Sequence, residues 1–247
     1  MAVHLYGVVP AAGDEPDVGT GRRGGPVRFV AGRDLRAVVS DVEEDAPVGR
    51  DDLLSHAHVL ETLAAELPVI PVQFGTLAPA DDAVRRDVLD AQHDDLVALL
   101  EAFSDVVQLT VDVTHHEEAA LREVLLRDPG LVALRDHVRS GAGGEGDRVR
   151  LGETVAAALQ DLQEQDAALV LDRLAPHAKA VAENEARGAH AVTSVAVLVD
   201  RDDHTAMDEA VTLLTDELGA RARVRYVGPQ PPYSFLEPVA SGELAWA

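Results

Sequence analysis

Residues 192–199, VTSVAVLV, make up a short run that is nearly all apolar. A run of that length is a strand, and one that is apolar on both faces is the central strand of a sheet covered from both sides. A second strand is marked by Val107, Leu109, Val111 and Val113, which alternate with Gln108, Thr110 and Asp112 and so predict one buried and one open face. Helical spacing separates the two. A helix begins near Glu117, breaks at Asp128-Pro129-Gly130 and resumes to about Val138. Residues 140–147, SGAGGEGD, read as a flexible loop. From Val149 to Arg187 the pattern is again helical, with Leu151, Val155, Leu159 and Leu162 on one stripe, Pro176 kinking or splitting it and Gly188 as terminator. Asp202 or Asp203 caps a last helix carrying Met207, Val211, Leu214 and Leu218, and Val224–Val227 is a last strand. The order strand, helices, strand, helix, strand is close to a ferredoxin-like arrangement with helical elaboration.

The first hundred residues hold a separate set of elements. Val3–Val9 predicts a strand closed by Pro10, and Pro26–Val30 with Arg36–Val42 predicts two more around a turn at residues 32–34. A helix follows from Asp51, its expected buried face being Leu53, Ala57, Leu60, Ala64 and Leu67. Val69–Phe74 contains Pro71, which cannot donate to a ladder and so predicts an edge or bulged strand. Another helix is expected from Asp81, with Val84, Val88, Leu96, Leu99 and Phe103 inward. The fold class read from the chain is therefore α+β in two domains. Residues 1–104 form a mixed domain. Residues 105–247 form a modified ferredoxin-like domain with extra helices and a proline-rich C-terminal strap.

Composition narrows function more by exclusion than by indication. Acidic residues number 44 against 21 basic, a formal charge of −23, so the molecule's field repels phosphate and disfavours nucleic acid and anionic membrane surfaces. Such a charge keeps a protein soluble, or keeps a sticky partner soluble in its company. There is no cysteine, which removes disulfides, thiolate metal sites and cysteine nucleophiles. The N-terminus lacks a basic region and a long apolar run, and no segment approaches the roughly 18 apolar residues of a membrane span, so the expected location is the cytoplasm.

Chemical motifs fail on context. Residues 19–24, GTGRRG, match the letters of a dinucleotide fingerprint, but a Pro/Asp loop precedes them and Gly25-Pro26 follows, so no helix N-terminus is offered to a pyrophosphate. His56 and His58 stand two apart on a helix and face different ways. His115-His116 precede Glu117-Glu118, which read as acids at the positive end of a helix, as do Asp51-Asp52, Asp81-Asp82 and Asp202-Asp203. No nucleophile elbow is present. No catalytic, cofactor or metal residue is assigned. The tail does draw attention, because Tyr233 and Phe235 are two among only three tyrosines and four phenylalanines, set in the run Pro229-Gln230-Pro231-Pro232. The strap either packs back to staple its own domains or presents rigid aromatic anchors to a partner.

Four segments taken together resemble the GvpF/GvpL family of gas vesicle proteins. They are the opening HLYGVV, residues 55–77 (SHAHVLETLAAELPVIPVQFGTL), residues 96–113 (LVALLEAFSDVVQLTVDV) and the closing YVGPQPPYSFLEP. The last is similar to the family's "GPLPPYSF" ending, and Gln73 stands where the family usually has Arg or Lys. The resemblance implies a non-enzymatic accessory protein without a cofactor, in the cytoplasm or as a minor component of the gas vesicle. It would bind the small hydrophobic shell protein GvpA, limit its aggregation and support vesicle nucleation, with other accessory proteins as further partners. Candidate contacts are Gln73 and Phe74 in one segment and Pro231, Pro232, Tyr233 and Phe235 in the strap. An enzyme of small-molecule metabolism, or a ligand-sensing regulatory module, on ferredoxin-like domains remains the alternative.

Overall fold

The computed structural model describes residues 2–43 and 47–236. Residues 237–247, the end of the expected second domain, lie outside the described residues. Helices and two antiparallel sheets are mixed along the chain. The described residues group into two compact units. One draws on residues 2–43, 47–109, 198–204 and 227–236, the other on Thr110–Val197 and Thr205–Tyr226.

In the first unit the sheet runs β2-β3-β1-β4, with β5 also on β1. Its strands are β1 (Ala2–Pro10), β2 (Val27–Ala31), β3 (Leu35–Val42), β4 (Ile70–Pro71) and β5 (Leu77–Ala78). As Pro71 predicts, β4 is a short edge strand. The register between β1 and β3 slips between Leu5 and Gly7, leaving Tyr6 as an extra residue. That bulge reverses the alternation along β1. Val3, Leu5 and Val8 therefore share one core with Val30, Leu35, Ala37, Val39, Leu89, Leu96 and Leu100. Tyr6 and Val9 face the other, with Val38, Val59, Leu60, Leu63, Ala64 and Val69. A central strand covered on both faces explains why VHLYGVV reads as almost uniformly apolar.

Helix α1 (Arg50–Glu66) covers one face of this sheet. Its buried positions are Asp52, His56, Val59, Leu60, Leu63 and Ala64. This corrects the face expected from spacing, because Leu53 is exposed and Ala57 only half-buried. Two polar residues hold positions that an apolar stripe would take, which rotates the helix away from its most obvious period. The helix expected from Asp81 is also interrupted. It runs as α2 (Asp81–Val84), continues through a π-type turn over Arg85–Asp90, and resumes as α3 (His93–Ala102).

The second sheet has the order β7-β8-β6-β9, from β6 (Val106–His115), β7 (Ala180–Asn184), β8 (Ala191–Asp200) and β9 (Ala222–Gln230). Helix α4 (Glu117–Arg127) meets α5 (Pro129–Arg139) at Asp128, whose carboxylate accepts from the Gly130 and Leu131 amides at 2.8 and 3.2 Å. Helix α6 (Glu145–Leu174) already starts inside the stretch expected to be a flexible loop, with Asp147 accepting from the Gly144 N–H. Ala120, Val124, Leu131 and Leu162 form the core shared by α4, α5 and α6. The expected helix to Arg187 is corrected as well. Pro176 ends α6 rather than bending it, and Ala180–Asn184 becomes a strand because β8 offers it a ladder. Helix α7 (Thr205–Leu218) buries Met207, Val211, Leu214 and Leu218, as its spacing predicts.

Candidate partner-binding surface

The inward side of α1 carries a buried polar network. His4 and Tyr6 project from β1 onto it, while Ser40 of β3 and Arg22 of a short turn close it off. The Val72 carbonyl takes a hydrogen bond from His56 Nε2 at 3.2 Å, so that nitrogen carries the proton. His56 Nδ1 must then accept, and it does so from His4 Nε2 at 3.0 Å. The chain of bonds leaves His4 Nδ1 a buried lone pair without a partner. Burial, with the neighbouring His56 and Arg22, pushes the His4 imidazole down to about 4, against the pull of Asp52. His56 is lowered too, mainly by burial. Arg22 donates its backbone N–H to the Tyr6 oxygen at 2.7 Å, which frees the tyrosine hydroxyl to donate to Ser40 Oγ at 2.9 Å. A side chain at Gly21 would strike that same hydroxyl, so the GTGRRG segment needs its glycine to seat a tyrosine. The Gly49 N–H bonds Asp52, and Arg22 and Arg23 lie at 3.2 and 3.8 Å from it, which keeps its carboxyl below the usual range.

Phe74 lies directly against this network. Its ring meets His4 at 5.6 Å and His56 at 5.4 Å, both edge-on, and Tyr6 stacks on His56 at 5.2 Å. It is half-buried, whereas Gln73 beside it is exposed in a tight turn whose carbonyl accepts from the Thr76 hydroxyl at 2.8 Å.

The strap behaves differently residue by residue. Pro231, Pro232 and Phe235 are buried, and Leu236 packs against the cluster of Val3, Leu5 and Val8. Short backbone bonds fold it into a turn, Tyr233 N to Pro231 O at 2.8 Å and Phe235 N to Pro232 O at 3.0 Å. The Ser234 N–H donates to Gln108 Oε1 at 3.0 Å. A Cβ at Gly228, whose φ is +149°, would run into Leu109, so β9 can lie close there only through glycine. Tyr233 alone stays 44% exposed, beside Glu61 of α1. Burial, with that carboxylate, pushes its hydroxyl up to about 12. The six candidate contacts thus divide into an anchoring set, Pro231, Pro232, Phe235 and in part Phe74, and an accessible pair, Gln73 and Tyr233. His4, Arg22, Asp52 and His56 were not singled out as a site by sequence reasoning. The four-residue step from Asp52 to His56, matching the buried period of α1, was the signal available.

The second unit has its own buried polar group. Asp166 of α6 accepts from His115 Nε2 at 2.9 Å and from Arg221 through both its oxygens, at 2.9 and 2.8 Å. These bonds outweigh the cost of burial and hold the carboxyl at about 2. His115 also borders a groove of about 580 Å³ with Glu117, Gln163 and His190. Among the described residues no group of three or more His, Asp or Glu side chains is placed to hold a metal ion, and no helix is long and apolar enough to cross a membrane.

The family model for gas vesicle synthesis proteins GvpL/GvpF matches residues 2–237. The chain belongs to this family. Gas vesicle protein F of Streptomyces sp. (strain CB03234) is 35% identical over 243 residues, covering 96% of this chain and all of the relative. Gas vesicle protein L1 of Halobacterium salinarum is 24% identical over 254 residues, covering 94% and 89%. Two solved structures share the fold at 20% identity, GvpF from Anabaena sp. PCC7120 with a TM-score of 0.77 and GvpF from Microcystis aeruginosa with 0.74. Each covers 95% of this chain and 98% of its own. F-type and L-type relatives both align along nearly the whole length of the chain.

Proposed function

We propose that this GvpF/GvpL-family protein is a gas vesicle assembly factor that binds the small hydrophobic shell protein GvpA. By holding GvpA it limits aggregation and supports nucleation of the vesicle, and it acts in the cytoplasm and as a minor component of the vesicle itself. The observation that carries this reading is the family match across residues 2–237, joined by a 35% identical relative of the same length. Physical chemistry supports it. A subunit with a large apolar face aggregates unless that face is covered. A partner that binds the free subunit withdraws it from aggregation by mass action. A charge near −23 keeps the complex soluble. Contact through Gln73, Phe74 and Tyr233, with Pro231, Pro232 and Phe235 fixing the strap beneath, fits their exposure and anchoring. The reading needs no catalytic step. The order β9-β6-β8-β7 corresponds to the 4-1-3-2 order of a ferredoxin-like sheet, which supports a modified ferredoxin-like second domain with α4, α5 and α6 as its elaboration.

The test is co-expression with the cognate GvpA, measuring how much stays soluble and co-purifies. Retention by the full chain, reduced when the chain is cut before Gly228, supports the reading; equal precipitation of GvpA with and without the chain overturns it. The ligand-sensing alternative draws on one feature, the groove beside His115. A reproducible small-molecule thermal shift abolished by filling that groove at Ala156 would favour it.

A further inference from the structure

The groove beside His115 is lined by charge of one sign. It lies within the second unit, between the start of α4, the middle of α6 and the residues leading into β8. Glu117 and Glu164 line it and no arginine or lysine does; Arg221 is committed to Asp166 and takes no part in its walls. The other polar groups are acceptors or already engaged. Gln160 Nε2 donates to Glu164 Oε1 at 3.0 Å, and Gln163 Nε2 donates to the Ala191 carbonyl at 2.6 Å, which leaves both Oε1 atoms as acceptors. His190 Nε2 lies 3.7 Å from Glu117 Oε2, next to a carboxylate but beyond a hydrogen bond.

His115 decides what the groove can take. Its side chain is only 7% exposed, and its Nε2–H is given to the Asp166 carboxylate at 2.9 Å. Nδ1 has no partner among the described residues, yet unlike His4 Nδ1 it is not sealed from outside, and the groove is where His115 opens. In the neutral ring that nitrogen is a lone pair, held in place by the Asp166–Arg221 pair behind it. Ala120, Leu159 and Val192 supply an apolar floor, and about 580 Å³ is the size of a small-molecule site. No three His, Asp or Glu side chains among the described residues are placed to hold a metal ion, so the cation that suits this lining is organic, with donors on its head and an aliphatic stem.

We propose that this groove binds an alkylammonium ion, its head held by Glu164 and Glu117 with His115 Nδ1 as a neutral acceptor, and its stem on Ala120, Leu159 and Val192. A free diamine and a lysine side chain of a protein partner share this chemistry. The proposal goes beyond the assembly-factor reading and does not rest on it; its test contains no shell protein, so the two can fail separately. Glu117 stands in the first turn of α4, where the positive end of the helix offsets part of its charge. Glu164 lies well inside α6 and carries the larger share.

The experiment is calorimetric titration of the full chain with cadaverine at low salt, compared with Nα-acetyl-lysine methylamide, pentanol and glutarate. At a charge of −23 any cation is drawn to the surface, so a control must remove as much charge as the test variant. Glu117→Gln/Glu164→Gln should weaken cadaverine about tenfold, with Glu164→Gln alone the larger of the two single effects. Glu209→Gln/Asp216→Asn, which neutralises two exposed carboxylates of α7 outside the groove, should bind as wild type. Ala156→Leu, filling the groove from an exposed position, should abolish binding. Neutral pentanol and anionic glutarate should not bind. In the unsubstituted protein the His115 Nδ1 resonance should shift as cadaverine is added, a readout that needs no variant to fold. Tighter binding of cadaverine assigns a free diamine, and tighter binding of the lysine derivative assigns a protein side chain. No binding of either, equal weakening by the α7 pair, binding untouched by Ala156→Leu or an unmoved His115 resonance overturns the site.

Discussion

Two buried histidines, one in each unit, are handled in different ways. His4 is bonded to another neutral imidazole, and its second nitrogen has no partner. His115 donates to a carboxylate that Arg221 also grips at two points. The first cluster is stable because burial keeps its rings uncharged. The second is stable because a full negative charge is surrounded by donors. Burial alone therefore says little about what a polar residue contributes; what decides is whether the network is built for the neutral or the charged form.

The comparison can be broken most readily at Asp166. Replacing it by alanine leaves Arg221 without its carboxylate and His115 without an acceptor, and should cost about 3 kcal/mol, read from urea unfolding. A loss below about 1 kcal/mol would mean that the charged cluster is no stronger than a surface pair. Acid should then separate the two clusters. His4 has a folded value of about 4 against an ordinary 6.5, so the unfolded chain binds more protons between those limits and stability falls as pH drops through that window. Asp166 has a folded value of about 2 against 3.8, so its contribution is present above 3.8 and is lost only below it. Unfolding free energies measured from pH 7 to 3 should show the first decline flattened by His4→Gln and the second by Asp166→Asn. The reverse assignment would refute the division into neutral and charged designs. Tyr6→Phe removes the hydroxyl shared by Ser40 and the Arg22 amide and should cost about 1 to 2 kcal/mol. The smallest effect belongs to Arg173→Ala. Its two-point contact with Glu217 lies at the surface of the second unit and should contribute under about 0.5 kcal/mol, further reduced by salt.

Legibility in the sequence followed the same division. β1, β6, β8 and α7 could be read because their faces are uniformly apolar or alternate cleanly, and burial followed that pattern except at Gln108, which stands on the expected open face of β6 yet is buried and accepts from the Ser234 N–H. The buried side of α1 could not, since Asp52 and His56 occupy core positions that any hydrophobic count assigns to solvent. β7 was lost inside an apparent helix because a five-residue edge strand with Glu183 and Asn184 carries almost no periodic signal, and only its pairing with β8 specifies it. The strap was visible from its prolines and aromatics, but which aromatic anchors and which stays accessible depended on packing: Phe235 goes in and Tyr233 remains outside. The network around Tyr6 brings together residues spread from position 4 to position 72, a separation that no local pattern encodes.

The strap also sets an order of events during synthesis. The first unit includes residues up to Leu109 and again from Val227, and Leu236 is part of what covers Val3, Leu5 and Val8. At ribosomal speeds of about 5 to 20 residues per second, the intervening stretch of about 120 residues takes roughly 6 to 24 seconds to make. Throughout that interval the residues up to Leu109 wait with their core unsealed, and those that complete it leave the ribosome only after the whole second unit has been made.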